Sequence, residues 1–290
     1  MSRRLATLTG FGAVLLWSLL AVLTVASAPV PPFLLTTLTF AIGGALGLVW
    51  VAATGGLQQL ARVPLSVYAI GSLALFGYHA LYFSAFRLAQ AAGAAAETGL
   101  IAYLWPLLIV LLSGLLPGER LRPLHIIGAL VAFAGAGLIL ASGAQGFRSQ
   151  AMAGYGLALL CALTWSGYSV ISRRWRDVPT ASVAVFCLVT AALSLPVHLA
   201  VEATVWPASP GGWLAVAGLG LGPVGLAFFI WDIGVKRGDI QLLGTASYAA
   251  PLLSTLVLVL AGQAAGSATL AASTCLIAGG ALLAARASGP

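Results

Sequence analysis

Charge is what this chain has least of. Charged residues make up 7% of its 290 residues, with six acids and thirteen bases, of which one, Lys236, is a lysine. A soluble domain of this size carries roughly 25% charged residues, so most of this chain cannot face water. Cysteine is scarce as well. Cys161, Cys187 and Cys275 all fall inside apolar segments, without a paired framework, and read as small buried residues rather than disulfides or metal ligands. The three histidines are scattered and there is no paired acidic motif, which argues against an intramembrane enzyme, and no metal or cofactor is implied. No P-loop is present, which argues against direct coupling to ATP. A retinal pigment needs a buried lysine, whereas Lys236 stands at a helix end. Basic residues occur singly or in twos and threes between apolar segments, so the pI of 9.8 does not indicate nucleic-acid binding.

What the chain has in quantity is apolar length. Hydrophobic residues reach 61% and the mean hydropathy is +1.06. The apolar stretches run to about 20 residues, the length that crosses a bilayer. Punctuation at Pro29-Val30-Pro31-Pro32, Gly55-Gly56, Pro117-Gly118, Asp177-Val178-Pro179 and between Trp206 and Gly212 separates them. Hydropathy and these breaks predict ten helices, over 5–26, 33–53, 65–86, 92–115, 122–142, 153–174, 181–202, 211–231, 240–262 and 267–286. All loops are short, so residues 1–290 form a single membrane domain. Arg3-Arg4, an apolar run and Ala26-Ser27-Ala28 imitate a signal peptide. The run is longer than a usual signal core and contains Trp17 and Ser18, so the segment reads as the first span. With a cytoplasmic N-terminus, 11 basic residues fall on the inner side and 2, Arg87 and Arg148, on the outer side. The positive-inside rule therefore predicts a multi-pass inner-membrane protein with both termini in the cytoplasm.

The halves resemble each other. Gly77 to Leu108 aligns with Gly222 to Leu253 at an offset of 145 without gaps, with identities that include Phe83/Phe228, Gly99/Gly244, Tyr103/Tyr248 and Pro106/Pro251. Tyr-x-x-Pro-Leu-Leu recurs in register. Each half, 5–142 and 153–286, holds five helices. An odd number sends the second copy through the membrane upside down, the inverted repeat typical of transporters. The expected fold class is an all-α integral membrane protein of ten transmembrane helices, arranged as two inverted five-helix repeats around a central cavity. Pro106 and Pro251 fall mid-helix in spans four and nine and predict kinks. The carbonyls of Ala102 and Ser247 should then be left for protein, water or ligand.

Ionisable residues inside a span are functional candidates. Glu97 in span four and His79 in span three are expected to handle substrate charge or protons. Arg87 and Asp232, which are repeat-equivalent, stand near helix ends, where they could snorkel. Aromatic residues recur at helical spacing: Tyr78 and Tyr82 on span three, and Trp165 and Tyr168 with Ser169 and Ser172 on span six. With Trp17, Tyr103, Ser247 and Tyr248 they describe a cavity suited to a flat, amphipathic organic solute. Trp50, Trp175, Trp206 and Trp213 lie near span ends and read as an interfacial belt.

Leu16-Trp17-Ser18, Pro106, Gly118-Glu119-Arg120-Leu121, Gly128-Ala129, Gly135 and Gly137 resemble the drug/metabolite transporter superfamily in its EamA-type branch, over essentially the whole chain. The second half departs in having Gly262-Gln263 where a Gly-Glu is usual. Ala96-Glu97-Thr98-Gly99-Leu100, Tyr103-Leu104-Trp105-Pro106, Trp165-x-x-Tyr168 and Ser247-Tyr248-x-x-Pro251 are similar to the YddG-type aromatic amino-acid exporters. The resemblance implies a basket of spans 1–4 and 6–9 with spans 5 and 10 peripheral, and outward movement of amino acids and related metabolites. The expected function is a secondary transporter exporting aromatic or neutral amino acids by alternating access. An uncoupled facilitator, or an exporter of other organic solutes, fits the same residues. Protons and a homodimer are the further partners considered. Close contacts at Gly128, Gly135, Gly137, Gly279 and Gly280 are expected either within the chain or between subunits.

Overall fold

The computed structural model describes residues 1–141, 144–260 and 267–288. Ten helices are long and apolar enough to cross a membrane: Arg3–Ala26, Pro32–Ala53, Leu65–Gln90, Ala95–Ser113, Pro123–Leu140, Ser149–Arg174, Ser182–Val201, Pro210–Arg237, Ile240–Val257 and Ala268–Ser288. They follow the expected spans closely, and among the described residues there is no strand. Gly262-Gln263 lies outside the described residues.

The differences are breaks inside spans. Span one divides into Arg3–Trp17 and Leu20–Ala26, span four into Ala95–Ala102 and Trp105–Ser113, span nine into Ile240–Ala246 and Ala249–Leu260. Span eight passes through a π-turn at Gly222–Leu226. The prolines explain two of these breaks. Pro106 and Pro251 stand at the second and third positions of the half-helices that begin at Trp105 and Ala249. There a missing N–H costs nothing, because the first turn has no intrahelical acceptor to bond. The kink thus appears as a restart one or two residues ahead of the proline. At the restart in span nine the Ser247 carbonyl is not free as expected, since the Ala250 N–H donates to it at 3.1 Å. The π-turn holds Gly222 and Pro223, where proline again removes a donor.

Without water between helices, close packing and interhelical hydrogen bonds hold the bundle. Small residues allow it. A Cβ on Gly128 would lie 2.5 Å from the Gly280 carbonyl oxygen, and one on Gly10 would lie 2.8 Å from Gly234 Cα. Spans five and ten therefore meet backbone to backbone within the chain. Gly279, by contrast, meets nothing within 4 Å, so it takes no part in that contact. Cys161 and Cys187 are buried, but Cys275 is exposed on span ten, contrary to the expectation for all three.

Candidate functional site

Seven spans send aromatic rings to one central cluster: Trp17, Phe40, Tyr78, Trp105, Trp165, Phe186 and Phe228 come from spans one to four and six to eight, while Tyr248 of span nine packs with Tyr103 and Phe133 in a second cluster. Trp17 sits at the span-one break, at the centre of the set. Its ring lies 5.1 Å from Trp231, 5.9 Å from Trp165 and 6.0 Å from Trp105. Trp165 also touches Tyr78 at 5.5 Å and Tyr168 at 5.5 Å. Tyr78 stacks on Tyr82 at 6.3 Å, and Tyr103 meets Tyr248 at 6.2 Å. These edge and offset contacts each add about 0.5–1.5 kcal/mol beyond simple burial, so the rings hold one another in place. They pack as one cluster where the central cavity was expected. Trp17, Tyr78, His79, Tyr82 and Tyr103 stay partly accessible, whereas Trp165, Tyr168, Ser247 and Tyr248 are buried.

The polar atoms of the site are fixed by the helix breaks. The Trp17 indole N–H donates to the Pro223 carbonyl at 3.1 Å, inside the π-turn, where the helix ladder is interrupted. The Tyr248 hydroxyl, at the span-nine break, accepts the Leu107 N–H at 3.0 Å. Leu107 lies in the first turn of the restarted half-helix of span four, whose N–H groups have no intrahelical partner. One break therefore caps the other. Ser247 is fully engaged, its hydroxyl donating to the Leu243 carbonyl at 2.8 Å. His79 Nδ1 lies 2.8 Å from the Leu75 carbonyl. A carbonyl can only accept, so Nδ1 carries a proton, and in the neutral ring Nε2 presents a lone pair. The imidazole lies against Phe40 at 4.9 Å and Tyr78 at 5.0 Å.

Glu97 is not brought to these rings. It stands in the first turn of Ala95–Ala102 and accepts the Gln145 N–H at 2.7 Å, tying span four to the segment before span six. Among the described residues no hydrogen bond links His79 to Glu97; their partners are Leu75 and Gln145 respectively.

Residues the sequence reading left out complete the site. Trp105, Trp231, Phe228 and Phe40 are all buried among the rings. Trp231 donates to the Ser169 hydroxyl at 3.1 Å. Beyond it, Asp232 is buried rather than snorkelling. Its carboxylate pairs with Lys236 at 2.9 Å and accepts from Ser172 at 3.0 Å and Thr180 at 2.6 Å. Lys236 does stand in a last helical turn, yet it is 2% exposed and also donates to the Val178 carbonyl at 3.0 Å. The Asp232/Lys236 spacing of four within an apolar span was the available signal. At the other end of the bundle, Glu202 accepts from the Phe33 N–H at 2.9 Å and the Leu34 N–H at 3.2 Å and bonds His198 at 2.8 Å. A carboxylate there satisfies the open N–H groups at the start of span two.

A ten-span bundle with discontinuous helices and aromatic rings at the breaks has the build of a membrane transporter. The family model described as "EamA-like transporter family" matches twice, over residues 4–141 and 152–286, and the chain belongs to that family, which is one of transporters and not of enzymes. It is similar, at 56% identity over 98% of both chains, to a protein of Ancylobacter novellus named "Aromatic amino acid exporter YddG". A Salmonella typhimurium protein of the same name is 27% identical over 88% of each chain. A solved crystal structure at 55% identity matches with a TM-score of 0.93 over 100% of both chains.

Proposed function

We propose that this chain is a secondary transporter that exports aromatic and other neutral amino acids across the bacterial inner membrane by alternating access. The observation that carries this reading is the ring assembly of Trp17, Tyr78, Trp105 and Trp165 placed at the breaks of spans one and four. Flat, polarisable side chains of a solute exchange favourably with such rings, and half-helix ends offer backbone polar groups to its ammonium and carboxylate. The relatives named as aromatic amino acid exporters support the same substrate class. Tyr78, Tyr82, Tyr103, Trp17 and His79 contact the solute directly. Trp165, Tyr168, Ser247 and Tyr248 shape the site from behind, and Pro106 and Pro251 set the breaks. Glu97 handles charge at the outer mouth.

Two segments matching one family model support the repeats 5–142 and 153–286, related by inversion. Both termini face the cytoplasm, as the distribution of basic residues requires. Protons are the coupling ion, and His79 Nε2 is the acceptor placed to take one. The Gly128 and Gly280 faces are taken up by each other within the chain, so a homodimer would form through other lipid-facing surfaces.

The test is uptake of labelled tryptophan, phenylalanine and threonine into liposomes holding the purified protein, with and without a pH gradient, beside Trp165→Ala, His79→Gln and Glu97→Gln. Aromatic-selective flux is expected, reduced at least about tenfold in Trp165→Ala, the factor that about 1.4 kcal/mol of lost ring contact carries. Loss of the gradient effect in His79→Gln alone supports the proton role. Folded protein that moves none of the three sinks the substrate assignment. Flux indifferent to the gradient points to the uncoupled facilitator.

A further inference from the structure

At the end of the bundle that carries both termini, one carboxylate draws three guanidinium groups. Arg173 donates through Nε to Glu119 Oε1 at 3.0 Å and pairs with the same oxygen through Nη2. Arg176 and Arg3 each approach Glu119 at 3.8 Å, and Arg3 also reaches Asp239 at 3.2 Å. Three cations thus share two anions. Arg3 and Arg176 are more than half exposed, whereas the side chains of Arg173 and Glu119 are 6% and 8% exposed, so the cluster opens to water on its Arg3 and Arg176 side and is buried behind.

Arg173 and Glu119 are held very differently. The Arg173 Nη1 group donates to the Val235 carbonyl at 3.0 Å and the Gly238 carbonyl at 2.7 Å, which fixes the guanidinium to the last turn of span eight. Glu119 stands in the corner between spans four and five, and its side-chain partners there are the guanidinium groups themselves. Span six then runs from this cluster to the rings. Ser172 bonds Asp232, Ser169 bonds Trp231, and Trp165 lies among the tryptophans. The eight helical steps from Arg173 to Trp165 span ~12 Å.

We propose that the carboxylate of the exported amino acid takes the place of Glu119 on Arg173 when the cytoplasmic mouth opens. The inference rests on the export reading above. Opening at this end separates the four–five corner from span six and takes Glu119 away from Arg173. A guanidinium fixed in a buried place and stripped of its counter-ion is strongly unfavourable. A carboxylate offers the two oxygens that the guanidinium fork fits, and the two exposed arginines attract it from the cytoplasm. A solute with a carboxylate binds the open state better than the closed one and so shifts the population toward opening. An amine or amide of the same ring leaves Arg173 stranded. Selection for the amino-acid carboxylate then occurs at the mouth, before the rings select for the side chain.

The experiment uses the full chain with Glu119→Ala, whose shortened side chain leaves Arg173 without its partner. Thermal unfolding is followed with sodium acetate, sodium chloride, tryptophan or tryptophanamide at matched ionic strength. The variant is expected to melt several degrees below the wild type, with acetate and tryptophan restoring part of the loss and chloride and tryptophanamide restoring none. Glu119→Ala combined with Arg173→Gln is expected to lose the acetate response. Equal responses to acetate and chloride, or an acetate response that persists without Arg173, overturn the inference. In vesicles with the cytoplasmic face outward, tryptophanamide is expected to compete for tryptophan transport about tenfold more weakly than unlabelled tryptophan, and equal competition also overturns it. The export reading fails separately: tryptophan that does not move, beside an intact acetate response, removes the substrate and leaves the carboxylate site standing.

Discussion

The Leu107 N–H belongs to the first turn of a restarted helix and has one partner, the Tyr248 hydroxyl at 3.0 Å. Tyr248→Phe keeps the ring and its contacts with Tyr103 and Phe133 while leaving that N–H unsatisfied beside a fully buried ring. The expected cost is about 1–2 kcal/mol, read as a lower unfolding midpoint in detergent, and an unchanged midpoint sinks the capping role. Asp232 carries a larger expectation. Asp232→Asn strands the Lys236 ammonium, 2% exposed, and should cost about 3–5 kcal/mol. Asp232→Leu with Lys236→Met removes both charges and is expected to lie near the wild type, because apolar side chains of similar size replace a buried pair at little cost. A double variant as unstable as the single one contradicts this. In the sequence, Trp17, Tyr78, Tyr82, Trp165 and Tyr168 were legible because they fall mid-span at helical spacing. Trp231 and Phe228 were not. The expected span 211–231 put both at its end, whereas the helix runs on to Arg237 and carries them inside the bundle, and Asp232 was misread because its partner stands one turn further along the same span.

The element scale turns on backbone approach. Gly128 and Gly280 touch across spans five and ten so closely that an added Cβ on Gly128 meets a carbonyl oxygen at 2.5 Å. That oxygen cannot swing aside as a side chain would. Gly128→Ala is therefore expected to cost about 1–3 kcal/mol, whereas Gly279→Ala, with nothing within 4 Å, should leave the unfolding midpoint where it was. Equal midpoints for the two variants would mean that the spans part easily. Most span ends were legible to within a few residues because hydropathy and Pro/Gly punctuation agree there, whereas span eight, expected over 211–231, runs on to Arg237. Breaks were legible only where a proline marks them. The division of span one at Ser18 and Leu19 carries no such mark. The hydroxyl of Ser18 bonds the Leu15 carbonyl at 2.6 Å, a local competition with the helix ladder that many serines make without ending a helix.

For the whole molecule, ten spans and short loops force the sides of the membrane to alternate along the chain. Arg3, Glu119, Arg173, Asp239 and Arg122 meet at one end, where Arg122 donates to the Ala287 carbonyl at 2.8 Å. Arg148 and Gln145 meet Ala92 and Glu97 at the other. That separation agrees with the arrangement drawn from the basic residues, since both arise from the same alternation. Chain order and charge made this level the most legible of the three. Which conformation the chain rests in was not legible, because it depends on contacts between residues more than fifty positions apart, such as Arg173 with Glu119. The orientation itself is testable. A reporter that folds only in the cytoplasm, fused after Pro290, is expected to be active, and one that matures only outside the inner membrane, fused at the same place, to be silent. Moving the junction to the segment between spans nine and ten should reverse both readings. Activity of the outside reporter at the C-terminus would overturn the orientation. The guanidinium cluster would then face the receiving side, and Arg173 would meet the solute as it leaves the rings.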